Sequence, residues 1–507
     1  MKRWKQASIA LAMVACGAAQ KPIAQRTKPS ASSASIAPSA SSSVAPLATI
    51  DPHFREHEPE LGPPANFVMP DVKVTKLASG LRILSANVGG GMFAMRVSFA
   101  GFAAFPTERA AVARLMVKSM FGGTPTEDAH ALRRVLEKRF ATWSTYTEPD
   151  VVAVEMWMPA DDMNACIDTI ADVVMHPEFD QLTLGFELLQ LVEQGQTARE
   201  SPDTLATRAF VRAIYGDTHP YARSTVVLDG SATVAHAEVQ RIWEELADPA
   251  TTTVSLAGAI DAATLNHVQR AFASFRARNH PHAAPLAAVN WLGGARVVVV
   301  DRPGSVRSEI RFGGLAPSRA SSDWYAMQLI DEILGAHRSS RITRDIVEKN
   351  AWSLGGATHH EMRRGESTFY WSSGVPAEHT ADALAAIDKA FEALGQTAPS
   401  AEELDEKKAL YLRQIPRLTE TAIEGAELVA TIAEYGLPED ALAGLAARVQ
   451  AVTPDEIRAL AHARLASDRT RAIVVGDWSK LKPSLKALGW GPIEIRDTTG
   501  KLVATEK

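Results

Sequence analysis

Ala94-Met95-Arg96-Val97-Ser98-Phe99-Ala100-Gly101 and Ser308-Glu309-Ile310-Arg311-Phe312-Gly313-Gly314 read as one strand written twice. Both alternate in character, as a strand with one buried face must. Upstream of the first lies Leu77-Ala78-Ser79-Gly80-Leu81-Arg82-Ile83-Leu84, a turn feeding a strand. Upstream of the second lies Leu292-Gly293-Gly294-Ala295-Arg296-Val297-Val298-Val299. A helical stretch follows each, near 107–121 and 322–334. The closing phrases also match: Thr253-Val254-Ser255-Leu256-Ala257-Gly258 and Arg471-Ala472-Ile473-Val474-Val475-Gly476-Asp477. Gly101 to Gly314 spans 213 residues and Gly258 to Gly476 spans 218. Nearly equal offsets at two landmarks indicate a duplicated unit.

The middle of each unit is helical. Apolar residues recur at helical spacing over 161–175, 182–199, 381–394 and 401–412. Strands flanking a helical middle predict an α+β fold. Each of the two duplicated units is then a mainly antiparallel sheet with helices packed on one face. The expected boundaries are 71–280 and 281–507, joined by a His-, Pro- and Ala-rich link near 276–290.

The 507 residues carry 53 basic and 59 acidic side chains. This mild negative balance, with no long basic block, argues against a nucleic-acid partner. No run of eighteen apolar residues predicts a spanning helix. Two cysteines, Cys16 and Cys166, exclude a disulfide framework and a four-thiolate metal site. Cys166 lies in an apolar helical pattern and reads as core.

The amino terminus reads as an address. Lys2, Arg3 and Lys5 precede a short apolar stretch, the shape of a secretory signal over 1–16. It ends Met13-Val14-Ala15-Cys16-Gly17, which resembles a bacterial lipobox, so Cys16 is the expected lipidation site. A plain cleaved signal with an incidental cysteine is the alternative. Residues 17–70 form the expected tether, dense in Ser, Ala and Pro between 27 and 48, a composition that cannot offset its ordering entropy. These features together predict a periplasmic lipoprotein, outer-membrane-anchored, touching the membrane by its lipid alone.

Several phrases resemble the insulinase/pitrilysin-type zinc peptidases, inverzincins that include the processing peptidases and the bc1 core proteins. They are Leu77-x-x-Gly80-Leu81-Arg82, Phe121-Gly122-Gly123-Thr124, His219-Pro220-Tyr221 and Ile333-Leu334-Gly335 followed by Ser340-Arg341-Ile342. Thr453-Pro454-Asp455-Glu456-Ile457 and Val474-Val475-Gly476-Asp477 complete the set. Their order and spacing carry the resemblance over about 72–500. It implies the metallopeptidase/LuxS-like type of α+β unit.

The chemistry of that family requires H-x-x-E-H on a helix, two histidines holding zinc and a glutamate activating water. Counting back from Gly123-Thr124, those positions here are Arg114, Leu115, Met116, Val117 and Lys118. Neither imidazole is present, and valine stands for the base. The resemblance places a retained downstream ligand at Glu193, 75 residues after Lys118, or alternatively at Glu187. Two cations repel a dication, so no zinc and no cofactor is expected. Arg114 and Lys118 are instead expected to pair with Glu193 or Glu187, unless both point to solvent. In the second unit, Val347 falls where active members carry an arginine and Trp352 where they carry a tyrosine.

One string matches H-x-x-E-H literally: His53-Phe54-Arg55-Glu56-His57. Its context opposes a zinc site. It precedes the first strand, Pro59 and Pro63-Pro64 follow it, and no apolar stripe seats it against a sheet. His359 and His360 are adjacent and should point apart on a strand.

These readings predict a non-catalytic binding or scaffold subunit. It would pair with an active zinc peptidase of the same family, or with a second copy, and hold extended peptides at a sheet edge. The candidate strand is Ala141, Thr142, Trp143, Ser144, Thr145 and Tyr146. An ordinary exposed strand is the alternative for that segment. The competing functions are an active zinc metalloendopeptidase with a non-standard site, such as the His53 string, and a structural envelope lipoprotein.

Overall fold

The computed structural model describes residues 67–507 apart from 102–104, 106, 224–233, 278–285, 287 and 290–292. The lipobox with Cys16, the tether up to residue 66 and the His53, Glu56 and His57 string lie outside the described residues; Phe67 and Met69, within the expected tether, pack against the second unit's core.

The first sheet contains β1 (Val72–Lys76), β2 (Arg82–Asn87), β3 (Met92–Ala100), β4 (Thr142–Glu148), β5 (Val151–Pro159) and β6 (Thr252–Gly258), in the order β1-β2-β6-β3-β5-β4. The second contains β7 (Val297–Asp301), β8 (Arg307–Ala316), β9 (Gly356–His360), β10 (Ser367–Pro376), β11 (Thr470–Gly476), β12 (Ile493–Arg496) and β13 (Leu502–Glu506), in the order β13-β12-β7-β11-β8-β10-β9. Five strands of each sheet repeat one topology. β2 and β6 pair in parallel, as do β7 and β11, and the remaining three ladders of each set are antiparallel.

The register refines the internal alignment. Thr252 faces Phe99 in the first sheet, and Thr470 faces Gly314 in the second. Gly314 therefore corresponds to Phe99, not to Gly101, and Arg311 corresponds to Arg96. The two glycines serve different needs. Gly101 takes φ 101° beyond its strand. A Cβ at Gly314 would lie 2.2 Å from the Arg469 carbonyl oxygen.

The first unit contributes helices α1 (Thr107–Ser119), α2 (Ala129–Glu137), α3 (Met163–Met175), α4 (Gln181–Glu200), α5 (Pro202–Tyr215), α6 (Pro220–Arg223), α7 (His236–Leu246) and α8 (Ala262–Ala271). The second contributes α9 (Trp324–Leu334), α10 (Arg341–Thr343), α11 (Thr380–Gln396), α12 (Ala401–Gln414), α13 (Ala422–Glu434), α14 (Leu445–Ala451), α15 (Pro454–Leu465) and α16 (Trp478–Ala487).

Alternation along the strands sorts these helices between two faces. Phe93, Met95, Val97, Val254 and Leu256 point into a core closed by Val112, Met116, Ile167, Ile170 and Ile242 of the first unit's own helices. Their neighbours Leu84 and Ala86 point the other way, onto Val429 and Ile432 of α13, and Ala94 and Ala257 meet Ala422 and Ala426. The second sheet mirrors this. Val297, Val299, Ala472 and Val474 face the unit's own helices, whereas Val298 and Ile473 meet Phe210 and Ile214 of α5. Each unit thus lends one helix to the open face of the other's sheet. Both start with strong caps. Ser201 accepts from Thr204 N with Pro202 in the first turn, and Thr421 and Glu424 form a capping box.

Candidate functional site

The helix that would carry zinc chemistry is α1. Leu115, Met116 and Val117 are fully buried in the first core. Arg114 and Lys118, one turn apart, are half-buried on a single face. Lys118 Nζ lies 3.8 Å from Glu187 Oε2 on α4. Burial depresses the Arg114 guanidinium, opposed by the charge of Glu148 at the end of β4. Lys118 thus addresses a carboxylate on α4, while the charge of Glu148 favours the Arg114 cation.

Glu193 is exposed on α4. It stands six residues beyond Glu187, about 240° around the helix at 3.6 residues per turn. The structure brings Glu187 to the motif helix and leaves Glu193 exposed, so of the two candidates Glu187 is the one that meets Lys118. Spacing could not separate these two glutamates, because the choice depends on how α4 is rotated against α1. That rotation is set at Gly122. A Cβ there would sit 3.0 Å from Asp180 Oδ2 and 3.2 Å from Thr183 Cβ, at the start of α4. Glu178 N also donates to Gly123 O at 2.9 Å, and Thr124 N to Glu127 O at 2.8 Å. The phrase Phe121-Gly122-Gly123-Thr124 is thus a seat for the α4 amino terminus.

A zinc ion does not fit this donor set. Lys118 and Arg114 stand where the resemblance places the two imidazoles, and a single carboxylate cannot bind zinc unaided. Among the described residues, no group of three or more His, Cys, Asp or Glu side chains is placed to hold a metal.

β4 is the terminal strand of the first sheet, next to α1. It covers the candidate substrate segment from Thr142 to Tyr146, with Ala141 buried just before it. Phe140, immediately upstream, takes φ 53° and is 82% exposed. Trp143 packs on Phe121 with ring centroids 5.6 Å apart. On the neighbouring α4, Leu182, Phe186 and Leu189 follow helical spacing and are 83%, 59% and 70% exposed. Ser144 Oγ donates to Glu155 Oε2 at 3.1 Å, so this side chain points back into the sheet.

Val347 and Trp352 are half-buried and pack against the second unit's core. Val347 lies in a π-helical turn over Arg344–Lys349, and Ala351 takes φ 50° after it. Trp352 stacks on His379 at 5.7 Å. Val347 has no polar side-chain atom, and Trp352 carries an indole N–H in place of a phenol. The nearby family phrase is structural: Arg341 binds Glu403 through two hydrogen bonds of 2.9 and 2.6 Å, and Gly335 leaves room for Thr358.

A cleft of about 580 Å³ runs between Arg96 and Tyr146 of the first sheet and Trp324, His360, Tyr411 and Glu427 of the second unit. Burial, followed by the charge of Glu148, pushes the Tyr146 hydroxyl up to about 12. Its ring lies under the Arg96 guanidinium at 4.6 Å. His359 and His360 do separate: His359 Nε2 meets Ser372 Oγ at 2.7 Å, while His360 packs on the Trp324 ring at 4.2 Å. Burial depresses His360 to about 3, so it is neutral.

Sequence reasoning missed the joint between the units. Tyr221 Oη donates to Asp150 Oδ1 at 2.7 Å and accepts from Gly365 N at 2.9 Å, and Arg364 N donates to Asp150 Oδ2 at 3.0 Å. Glu148 faces Arg363 at 3.7 Å. The only signal was the His219-Pro220-Tyr221 phrase itself; its partners lie far away in sequence.

This combination of two sheets, exchanged helices and a helix beside an edge strand defines a metallopeptidase-type fold. The chain belongs to the insulinase family of peptidases. The family model described as Insulinase (Peptidase family M16) matches residues 100–226, and that described as Peptidase M16 inactive domain matches 233–411. An uncharacterized zinc protease of Mycobacterium leprae (strain TN) is 20% identical over 378 residues, 74% of this chain and 84% of that protein. Among solved structures, a peptidase M16 inactive domain from Pseudomonas fluorescens superposes with a TM-score of 0.73 at 19% identity, covering 80% of this chain and 98% of the other. A protease from Helicobacter pylori gives 0.72 at 17% identity, covering 80% and 100%. The periplasmic protease PqqL from Escherichia coli gives 0.68 at 13% identity, covering 81% of this chain and 46% of its own.

Proposed function

We propose that this chain is a non-catalytic binding subunit of the bacterial envelope. It holds extended peptides along β4 and works beside an active zinc peptidase of its own family. One observation carries the reading: the edge strand β4 lies beside α1, the helix on which the family resemblance places Arg114 and Lys118 at the zinc positions. Pairing a peptide to β4 needs only backbone hydrogen bonds and survives loss of the metal. The exposed Leu182, Phe186 and Leu189 on α4 supply apolar surface suited to a peptide or a partner subunit. The periplasmic location of one structural relative and the lipobox-like sequence at Cys16 support the envelope assignment.

Hydrogen exchange tests the peptide site. Adding an extended, uncharged peptide should slow exchange of the backbone amides of residues 142–148. Protection confined to other strands would remove the reading. The partner is sought by affinity capture with a neighbouring-gene peptidase carrying an intact H-x-x-E-H. Zinc content measured with and without residues 17–70 separates this reading from catalysis at the His53 string.

A further inference from the structure

A second pocket lies away from the motif helix, where α5 crosses the second sheet beside the β12–β13 hairpin. Its volume is about 230 Å³. Four guanidinium groups line it: Arg208 and Arg212 from α5, Arg471 from β11 and Arg496 from β12. Three carboxylates also line it, and each is engaged. Glu494 Oε2 accepts from Arg496 Nε and Nη2 at 3.1 and 2.7 Å. Asp497 Oδ1 accepts from the Thr499 hydroxyl at 2.6 Å and from the Lys501 amide at 3.1 Å. Asp217 stands 3.8 Å from Arg212 Nε and is 74% exposed, so water screens it.

Arg208 is different. Among the described residues it has neither an ion pair nor a hydrogen bond. Burial depresses its guanidinium, and the charges of Arg212 and then Arg199 depress it further. The fold thus holds a half-buried cation next to like charge, an arrangement that costs stability unless a ligand offsets it. The walls are shaped to keep the space open. Gly293 and Gly294 take φ 61° and 116°, and Arg471 Nη2 lies 3.9 Å from where a Cβ on Gly294 would stand. A Cβ on Gly500 would lie 2.7 Å from Arg212 Nη1.

We infer that this pocket binds a small dianion of the phosphate or phosphomonoester class, held by Arg208 and Arg212 from one turn of α5. A tetrahedral dianion presents several acceptor oxygens to guanidinium forks, which match phosphate bidentately. With Glu494 held by Arg496 and Asp497 by Thr499 and Lys501, the two guanidinium groups of Arg208 and Arg212 are left facing the space, a pair of charges that a dianion would match. The site is independent of the peptide reading, since no residue of β4, α1 or α4 lines it.

Titration calorimetry and thermal melts on the full chain test this, using inorganic phosphate, glycerol 3-phosphate and vesicles carrying phosphatidate, each against chloride at matched ionic strength. Phosphate or glycerol 3-phosphate should bind and raise the melting temperature beyond chloride. Binding to the vesicles alone would assign the same chemistry to a lipid headgroup. Arg208→Gln should weaken binding at least about tenfold, the effect of removing one charge-assisted hydrogen bond. Since Arg208 makes no hydrogen bond or ion pair among the described residues and stands beside like charge, the variant should melt at or above the wild-type temperature without ligand. Stabilisation by chloride equal to that by phosphate, or unchanged phosphate affinity in Arg208→Gln, would overturn the assignment.

Discussion

Arg96 Nε on β3 donates to Glu434 Oε1 on α13 at 2.7 Å, so a guanidinium of the first sheet is held by a carboxylate that the second unit supplies. Arg96 also bonds Glu155, its cross-strand neighbour, and Ser98 bonds Glu434. Burial alone would depress Arg96, but Glu434 and then Glu155 outweigh it and hold the guanidinium above its ordinary value. Arg311, the register equivalent of Arg96, bonds Asp203 on α5 and Glu309 beside it. The duplicated arginine is thus used twice, each time to receive the helix that crosses from the other half.

Removing one carboxylate from such a cluster leaves an under-compensated buried charge. Glu434→Ala is expected to destabilise the chain by about 3–5 kcal/mol, read from urea unfolding. The Arg96→Ala, Glu434→Ala double variant should lose less than the sum of the single variants, because the residues are in direct contact. Additive losses would show that Arg96 does not hold α13.

The crossing of α5 rests on apolar contact. Phe210 is fully buried and meets the Tyr370 ring at 4.8 Å. Phe210→Ala should cost about 3–5 kcal/mol. Limited proteolysis should then cut between the sheets before either sheet is lost. Cooperative loss of both halves at once would show that α5 is not the weak joint.

Zinc binding can be tested by restoring ligands. The wild-type body is expected to carry far less than one zinc per chain. Arg114→His with Lys118→His replaces both cations with imidazoles on the face that meets Glu187, and this variant should take up zinc. Adding Glu187→Gln should abolish the uptake, whereas Glu193→Gln should not. The reverse result would restore Glu193 as the family's ligand position and mean that α4 is turned differently. Without metal, Glu187→Gln alone should change stability by less than about 1 kcal/mol, since the Lys118 pair is partly exposed.

Asp331 in α9 gives a pH signature. Burial, opposed by Thr358 and reinforced by Glu332, raises its carboxyl to about 7. The native chain therefore keeps a proton that the unfolded chain releases near ~4. Stability should fall as pH rises from about 4 to about 7 and level off above. Asp331→Asn removes this loss. Its unfolding free energy should match wild type near pH 4 and exceed it at pH 8 by up to about 2–4 kcal/mol. A pH-independent difference between the two would discard the assignment.

Much of the fold was legible because periodicity is local. Helices expected over 161–175, 182–199, 381–394 and 401–412 correspond to α3, α4, α11 and α12. The repeated strand at Arg96 and Arg311 is a real equivalence, although glycine landmarks placed it two residues off. Those glycines answer to a positive φ in one copy and to a backbone approach in the other. The site was legible only in its substitutions. Arg114, Val117 and Lys118 could be read from one helix, but the carboxylate facing them could not.

Residue type and spacing along the chain determined that there are two α+β units and where their long helices run. Those properties depend on dihedral preference and apolar period within a few residues. Tertiary packing alone decided that α5 and α13 trade sheets, that Glu187 rather than Glu193 meets Lys118, and that Arg208 and Arg212 of α5 share one pocket with the distant Arg471 and Arg496. Each depends on the rotation and crossing of packed elements, which long-range burial selects and no local pattern encodes.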